Sequence, residues 1–412
     1  MNKRIKIGII VILIVSVSLV IYGLSNENPV LKEEIETQKK TTLLSMMVEQ
    51  TRGAGDYEPV TQSNWPTEGY LFNSELSRCE NGGKLSWDKG NNNVVLASDS
   101  SDKCYVYFDI YIPNISDYCS SGNALTTCVK NFGDQGSDIS KIYIHNSSLT
   151  NGAGDSSYRF SGPDADVYNF VCFGSNANPC PEDNLYRIIG LINNSVKLIK
   201  YDYASSDLLG TNGNFVKEDS NVSNHYKGTK TSTSTYVRGT SSNVWSTSAL
   251  NTVNLNTNYL NNIETTWANK IATSTWKFGN ITWETFALQP VKTAYNHELS
   301  AHKSSSSAKI GLMYGSEYGF AASPDAWTEW LVNYENVTDK NWMYMGDTEA
   351  TMGSYLWGTS SNNPGVVNLW PDGHTSGDDI SMNADIRPAF NLVTSVTYVS
   401  GMGTKKDPIR IN

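Results

Sequence analysis

The chain has 412 residues, room for two or three domains, and a hydrophobic share of 39% with 23 Tyr and 11 Trp excludes global disorder. Its 41 acidic against 31 basic residues give a net charge of −10, which repels phosphate backbones and excludes nucleic acid as a partner. Charged residues are only 17% of the chain, so Ser, Thr, Asn and Gly dominate the polar surface, as in exported β-rich proteins.

Ile7 to Leu24 is an apolar run without a charge. As a helix at about 1.5 Å per residue it covers about 27 Å, close to the hydrocarbon thickness of a bilayer. Lys3, Arg4 and Lys6 precede it, so the positive-inside bias keeps the N-terminus cytoplasmic and sends the bulk of the chain outside. The competing reading is a cleaved signal peptide, but Tyr22-Gly-Leu-Ser-Asn26 offers no small-x-small site. Residues 1–28 are therefore expected to be a cytoplasmic tip and transmembrane signal-anchor, placing the protein in the cell membrane as a single-pass protein with an extracellular bulk.

Asn28-Pro29 is a helix-start signal, and Glu33, Glu34 and Glu36 precede Lys39, Lys40 and Arg52 in the order that suits a helix dipole. Leu31, Ile35, Leu43, Met46 and Met47 give a partial apolar stripe, so 29–52 is expected to be a stalk helix, with a solvated spacer as the alternative. From Trp65 the period changes to two. Tyr70–Phe72, Lys84–Trp87, Val94–Ala97 and Cys104–Ile112 read as strands separated by Glu80-Asn-Gly-Gly83 and Asp88–Asn93 turn chemistry. Residues 53–165 form the expected β-rich module.

Six cysteines stand at 79, 104, 119, 128, 172 and 180, all on the expected exported side. An oxidising compartment makes disulfides the default, and short loops suggest Cys79–Cys104, Cys119–Cys128 and Cys172–Cys180. No Cys-x-x-Cys pair speaks for zinc.

A second domain is expected over 166–412. Leu185–Gly190 and Val196–Tyr201 flank Asn193-Asn194 and predict a hairpin. Residues 204–243 are a long Ser/Thr/Asn/Gly loop. Leu250, Val253, Leu260, Ile263, Trp267 and Ile271 carry helical spacing. Ser323-Pro324 opens a short helix in which Trp327, Trp330, Leu331 and Tyr334 fall at i, i+3, i+4 and i+7. Ile386–Leu392, Val396–Val399 and Ile409–Ile411 predict late strands. Few helices among many short strands give an α+β, β-rich fold class.

The runs Tyr168-Asn-Phe-Val-Cys-Phe-Gly174, Cys180-Pro-Glu-Asp-Asn-Leu-Tyr-Arg-Ile-Ile-Gly190 and Val196-Lys-Leu-Ile-Lys-Tyr-Asp202 resemble a domain of unknown function. That domain recurs in exported proteins of low-GC Gram-positive-type bacteria. Trp245–Leu250, Ile310-Gly-Leu-Met-Tyr-Gly-Ser-Glu-Tyr-Gly319, Ile386-Arg-Pro-Ala-Phe-Asn-Leu392 and the ending Gly401–Ile411 resemble its other markers, and Cys79–Asp109 looks like the module that often precedes it. The resemblance covers most of 66–412. It implies a C-type-lectin-like domain, loosely similar to formylglycine-generating enzymes and phage receptor-binding tips, and no established activity.

Chemistry is sparse. His297-Glu298-Leu-Ser-Ala-His302 imitates a zincin motif, but its histidines are five apart, about 500° around a helix, where the motif needs four. No cysteine follows Cys180, which removes the nucleophile of a formylglycine-type oxidase, and there is no Gly-x-Ser-x-Gly elbow or phosphate loop. Asp372, Asp378 and Asp379 lie on the Gly-rich stretch Asp372-Gly-His-Thr-Ser-Gly-Asp-Asp379 and are the candidate calcium ligands, against the reading of an Asp-stabilised turn. No other cofactor is implied. Trp357 and Trp370, flanked by Gly, Ser, Asn and Pro, are the candidate ligand-binding aromatics, whereas Trp327 and Trp330 read as core. The expected function is a surface ligand-binding or adhesion module without catalysis, its partners the membrane and a neutral glycan or protein. The alternatives are an exported hydrolase with dispersed carboxylates and a pilin-like subunit, the latter lacking the Glu expected in its apolar helix.

Overall fold

The computed structural model describes residues 42–51, 54–63, 65–66, 69–88, 90–91, 93–97, 101–216, 225–226, 245–301, 304–356, 364–379 and 384–412. They form a mixed α/β, β-rich chain that divides after Ile112 into two compact units.

In the first unit the period-two segments pair as expected. Lys103–Ile110 is the centre of a five-stranded sheet, with Tyr70–Phe72 and Arg78–Cys79 antiparallel to it. Lys84–Asp88 and Asn93–Ala97 form a separate hairpin. Its core is small: Val48, Val106 and Phe108, covered by Leu44, Met46, Phe72, Trp87 and other half-buried side chains. Cys79 stands directly opposite Cys104, and a disulfide joins them. The Asp102 carboxylate closes the turn beside it, accepting from the backbone N–H of Asn81 at 2.9 Å and of Gly83 at 3.0 Å.

The fold class needs correcting at its N-terminal end. Leu43–Glu49 is a strand, parallel to Lys103–Ile110 and antiparallel to Tyr57–Pro59, where the stalk helix was expected. Leu44, Met46 and Val48 fall at period two and face the core. An isolated helix of this length is marginal in water, and the open edge of the Lys103–Ile110 strand offers backbone partners along the whole segment. The apolar run 7–24 and the first part of the stalk, 29–41, lie outside the described residues. Among those described, no helix is long and apolar enough to cross a membrane.

The second unit is built on a seven-stranded sheet. Its main path runs Ile310–Gly311, Ala389–Asn391, Ser195–Lys200, Leu185–Ile192, Tyr158–Phe160, Ile142–Ile144, and Phe170–Cys172 also pairs with Leu185–Ile192. The predicted hairpin is present, with Asn193 and Asn194 both left-handed at φ 50° and 60°, as a two-residue turn between twisted strands requires. Ile142–Ile144 and Tyr158–Phe160, assigned from the sequence to the β module, belong to this sheet. A four-stranded sheet of Asn280–Ile281, Glu349–Leu356, Pro364–Leu369 and Thr375–Asp379 lies in the same unit. One continuous core includes Trp245, Trp267, Trp276, Trp327 and Trp342. The disulfides Cys119–Cys128 and Cys172–Cys180 are formed, as the spacing predicts.

The expected helix around Trp327 is two short 3-10 turns, Pro324–Thr328 and Leu331–Asn336. Glu329 and Trp330 between them are extended, and Leu331 and Val332 donate their N–H groups to Gln289 and Ala287. Trp327, Leu331 and Tyr334 are buried as predicted, whereas Trp330 is 47% exposed because the break turns it outward.

Candidate functional site

Described residues of the second unit line a half-open cavity of about 680 Å³, within the range of small-molecule sites. Its wall brings together the hairpin end Ile192–Lys197, the segment 272–277, one face of helix Val291–Ala301, helix Gly315–Ala321 and the segment 391–394. Both faces of Ser195–Lys200 are covered, so Lys197 is buried on a strand that has no solvent side.

Lys197 Nζ donates to Glu317 Oε1 and Oε2 at 2.7 Å each, and both side chains are about 95% buried, with 4% and 5% exposure. The ammonium also stands 5.0 Å from the Trp276 ring centre and 4.8 Å from that of Tyr314. Burial pulls the Lys197 pKa below its ordinary value, and Glu317 opposes that pull. Tyr314 N–H adds a bond to Glu317 Oε2 at 2.9 Å, closing the start of helix Gly315–Ala321. Trp276 is fixed by Nε1 donating to Ala308 O at 3.1 Å and by Gly311, where an added Cβ would lie 2.5 Å from the indole ring.

Glu298 is the second buried carboxylate of the cavity. It continues the inward face of helix Val291–Ala301, after Val291, Ala294 and Tyr295 at helical spacing. The Ser316 hydroxyl donates to its Oε2, while Oε1 has no hydrogen-bond partner among the described residues. Burial pushes Glu298 up to about 7; the Ser316 bond resists this and the Glu317 charge adds to it. Arg159 completes the set. Its Nε donates to Ser157 Oγ and its Nη2 to Asp155 Oδ2, both at 2.8 Å, whereas Nη1 has no partner among the described residues. Its guanidinium lies 5.6 Å from the Tyr295 ring centre, and Tyr295 donates its hydroxyl to Asp155 Oδ2 at 2.8 Å. Burial would raise Asp155, but Arg159 and the bonds from Ser157 and Tyr295 outweigh it and hold the carboxyl below its ordinary range.

Another buried pair shows what a purely structural solution looks like. Arg387 Nε lies 2.9 Å from both Glu349 oxygens and Nη2 donates to Met343 O at 2.8 Å, so that pair is closed on itself. The cavity group leaves a donor of Arg159 and an acceptor of Glu298 open.

The residues singled out from the sequence lie elsewhere. Trp357 is outside the described residues. Trp370 is half-buried and stacks on His374, ring centres 5.4 Å apart. Asp372 stabilises its own turn: Oδ1 contacts His374 Nδ1 at 2.6 Å and accepts the His374 N–H at 3.2 Å. Asp378 pairs with Val366 in the strand ladder, and Asp379 ends the same strand. The one cluster of potential metal ligands among the described residues is Cys79, Asp102 and Cys104, whose two sulfurs are joined in a disulfide. His297 is on helix Val291–Ala301, and His302 lies outside the described residues. The signal for Glu298 was present in the sequence: it occupies a core-facing step of an amphipathic helix. Arg159, Lys197 and Glu317 carried no such mark.

No protein-family profile, no curated protein and no solved structure matches this chain. The C-type-lectin-like architecture expected for 166–412 is not borne out: the second unit begins at Pro113 and is a mixed α/β, β-rich fold on a seven-stranded and a four-stranded sheet.

Proposed function

We propose that this is an exported ligand-binding protein, its ligand site the cavity around Arg159, Lys197, Glu298 and Glu317, and that it binds without turnover. The observation that carries the reading is the gathering of four buried charged side chains, Arg159, Lys197, Glu298 and Glu317, on the wall of one cavity, with Arg159 Nη1 and Glu298 Oε1 lacking a hydrogen-bond partner among the described residues. Taking charges out of water costs several kcal/mol per ion, and packed apolar residues would serve a core as well. Buried charge kept partly unsatisfied is a mark of a functional site. Three disulfides suit an oxidising, exported location.

The carboxylates favour binding over hydrolysis. Two-carboxylate hydrolysis needs one acid and one free base. Glu298 is suited to be the acid, but both Glu317 oxygens are occupied by Lys197 and one also by Tyr314 N–H. The test is calorimetry of the purified protein against a library of small polar compounds, run beside a broad hydrolase screen. Saturable binding without product, lost or weakened in Glu298→Gln, is expected. Turnover abolished by Glu298→Gln would make the protein a hydrolase and end this reading.

A further inference from the structure

We infer that the Cys172–Cys180 disulfide is a thiol-exchange site: a small-molecule thiolate attacks Cys180 Sγ, and Cys172 Sγ leaves as a thiolate held by Arg410. Among the described residues this is the one disulfide with a cation bonded to a sulfur. Arg410 Nη1 stands 3.2 Å from Cys172 Sγ and donates to Ala177 O at 2.6 Å, while Nη2 reaches Asn178 Oδ1 at 3.5 Å. Arg159, Arg187 and Arg387 each face a carboxylate, whereas Arg410 forms no ion pair among the described residues. Its charge meets amide oxygens and a sulfur. A disulfide sulfur is a weak acceptor, so the guanidinium gains little from the closed bond and more from the thiolate that opening leaves behind.

Position assigns the two sulfurs different roles. Cys172 ends strand Phe170–Cys172 in the seven-stranded sheet and is 1% exposed, so an incoming thiol cannot reach it. A thiolate in such a place is costly unless a charge meets it, and Arg410 supplies that charge. Cys180 is half-buried and follows the exposed stretch 176–179, which makes it the sulfur open to attack. Exchange is faster at the sulfur whose partner is the better-stabilised leaving thiolate, and access and charge here select the same one.

The step conserves atoms and electrons. The incoming sulfur bonds to Cys180 Sγ as the Cys172–Cys180 bond breaks, and the electron pair of that bond goes to Cys172 Sγ. The products are a mixed disulfide on Cys180 and a thiolate on Cys172. Attack of that thiolate back on Cys180 expels the small thiol and restores the original bond.

The other two disulfides differ. The Asp102 carboxylate lies within 4.8 Å of both sulfurs of Cys79–Cys104 and opposes negative charge on either. Cys119 and Cys128 are both buried, and among the described residues no cation bonds their sulfurs.

The experiment treats the purified full-length protein, folded at pH 8, with excess 2-mercaptoethanol, quenches at intervals with N-ethylmaleimide and maps the cysteines by mass spectrometry. The expected first product carries mercaptoethanol on Cys180 and maleimide on Cys172, formed at least about tenfold faster than either other disulfide opens. Arg410→Gln, checked for folding by near-ultraviolet dichroism, separates charge from packing. Losing the bonds to Ala177 and Asn178 loosens the loop and by itself speeds opening, whereas losing the cation beside the leaving sulfur slows it. Opening about tenfold slower than in the parent is expected. Opening of Cys172–Cys180 no earlier than the other two disulfides would overturn the assignment. So would an adduct on Cys172, absence of a Cys180 adduct at every time, or an Arg410→Gln variant that opens as fast as the parent or faster.

Discussion

Replacing Lys197 with Met removes the only cation bonded to Glu317 among the described residues while keeping a long side chain that fills the strand position. Among the described residues Glu317, 5% exposed, is left with the Tyr314 N–H at 2.9 Å as its one remaining bond, and the vacated ammonium position faces Trp276 and Tyr314, which cannot donate through their rings. An uncompensated buried charge after loss of its partner costs about 3–5 kcal/mol. About 3 kcal/mol is therefore the expected loss. Lys197→Met/Glu317→Leu, which removes both charges, should recover most of it, giving a coupling of about 2 kcal/mol or more. Urea unfolding followed by tryptophan fluorescence is the assay, and nine of the 11 Trp lie from Trp245 onward, so the signal reports the second unit. A loss of that size lowers the midpoint by about 1–2 M urea. A single variant within about 0.5 kcal/mol of the parent would show that the pair is effectively solvated. A double variant no better than the single would show that packing around Lys197, and not its charge, holds the site.

Glu298 should make stability fall as pH rises. Its carboxyl loses its proton at about 7 when folded against 4.5 ordinarily, so the folded state holds the extra proton between those values, the penalty grows across that window and is constant above it. The full effect is about 3 kcal/mol, and Glu298→Gln should flatten that part of the pH–stability curve; an unchanged slope in urea titrations from pH 4 to 8 would refute the burial argument. Gly311→Ala places a methyl 2.5 Å from the Trp276 ring and should cost about 1–3 kcal/mol by overpacking while weakening ligand binding; a neutral result by thermal melting would mean that the indole moves freely. Cys172→Ala/Cys180→Ala opens a loop with a separation of 8 residues and should cost about 2–3 kcal/mol in denaturant titrations, with non-reducing mass mapping of the parent linking those two residues.

The period-two strands, the Asn193-Asn194 hairpin and all three disulfides could be read from the sequence, because each is fixed by chemistry within a few tens of residues: side-chain alternation, left-handed turn residues, short loops between thiols. Leu43–Glu49 could not, since a short apolar run fits a helix stripe or a strand, and the choice fell to a partner strand beginning at Lys103. Trp330 was misplaced for a related reason: helical spacing is a local pattern, and the backbone bonds from Leu331 to Gln289 and Val332 to Ala287 that broke it are tertiary. The candidate site lay furthest from view. Arg159, Lys197, Glu298 and Glu317 have no common motif, and Lys197 meets Glu317 across 120 residues of sequence. What marks them is that folding takes their charges out of water together. Sequence fixes which residues carry charge, and only the packed sheet and helices decide which of those charges lose their solvent and must find each other or a ligand.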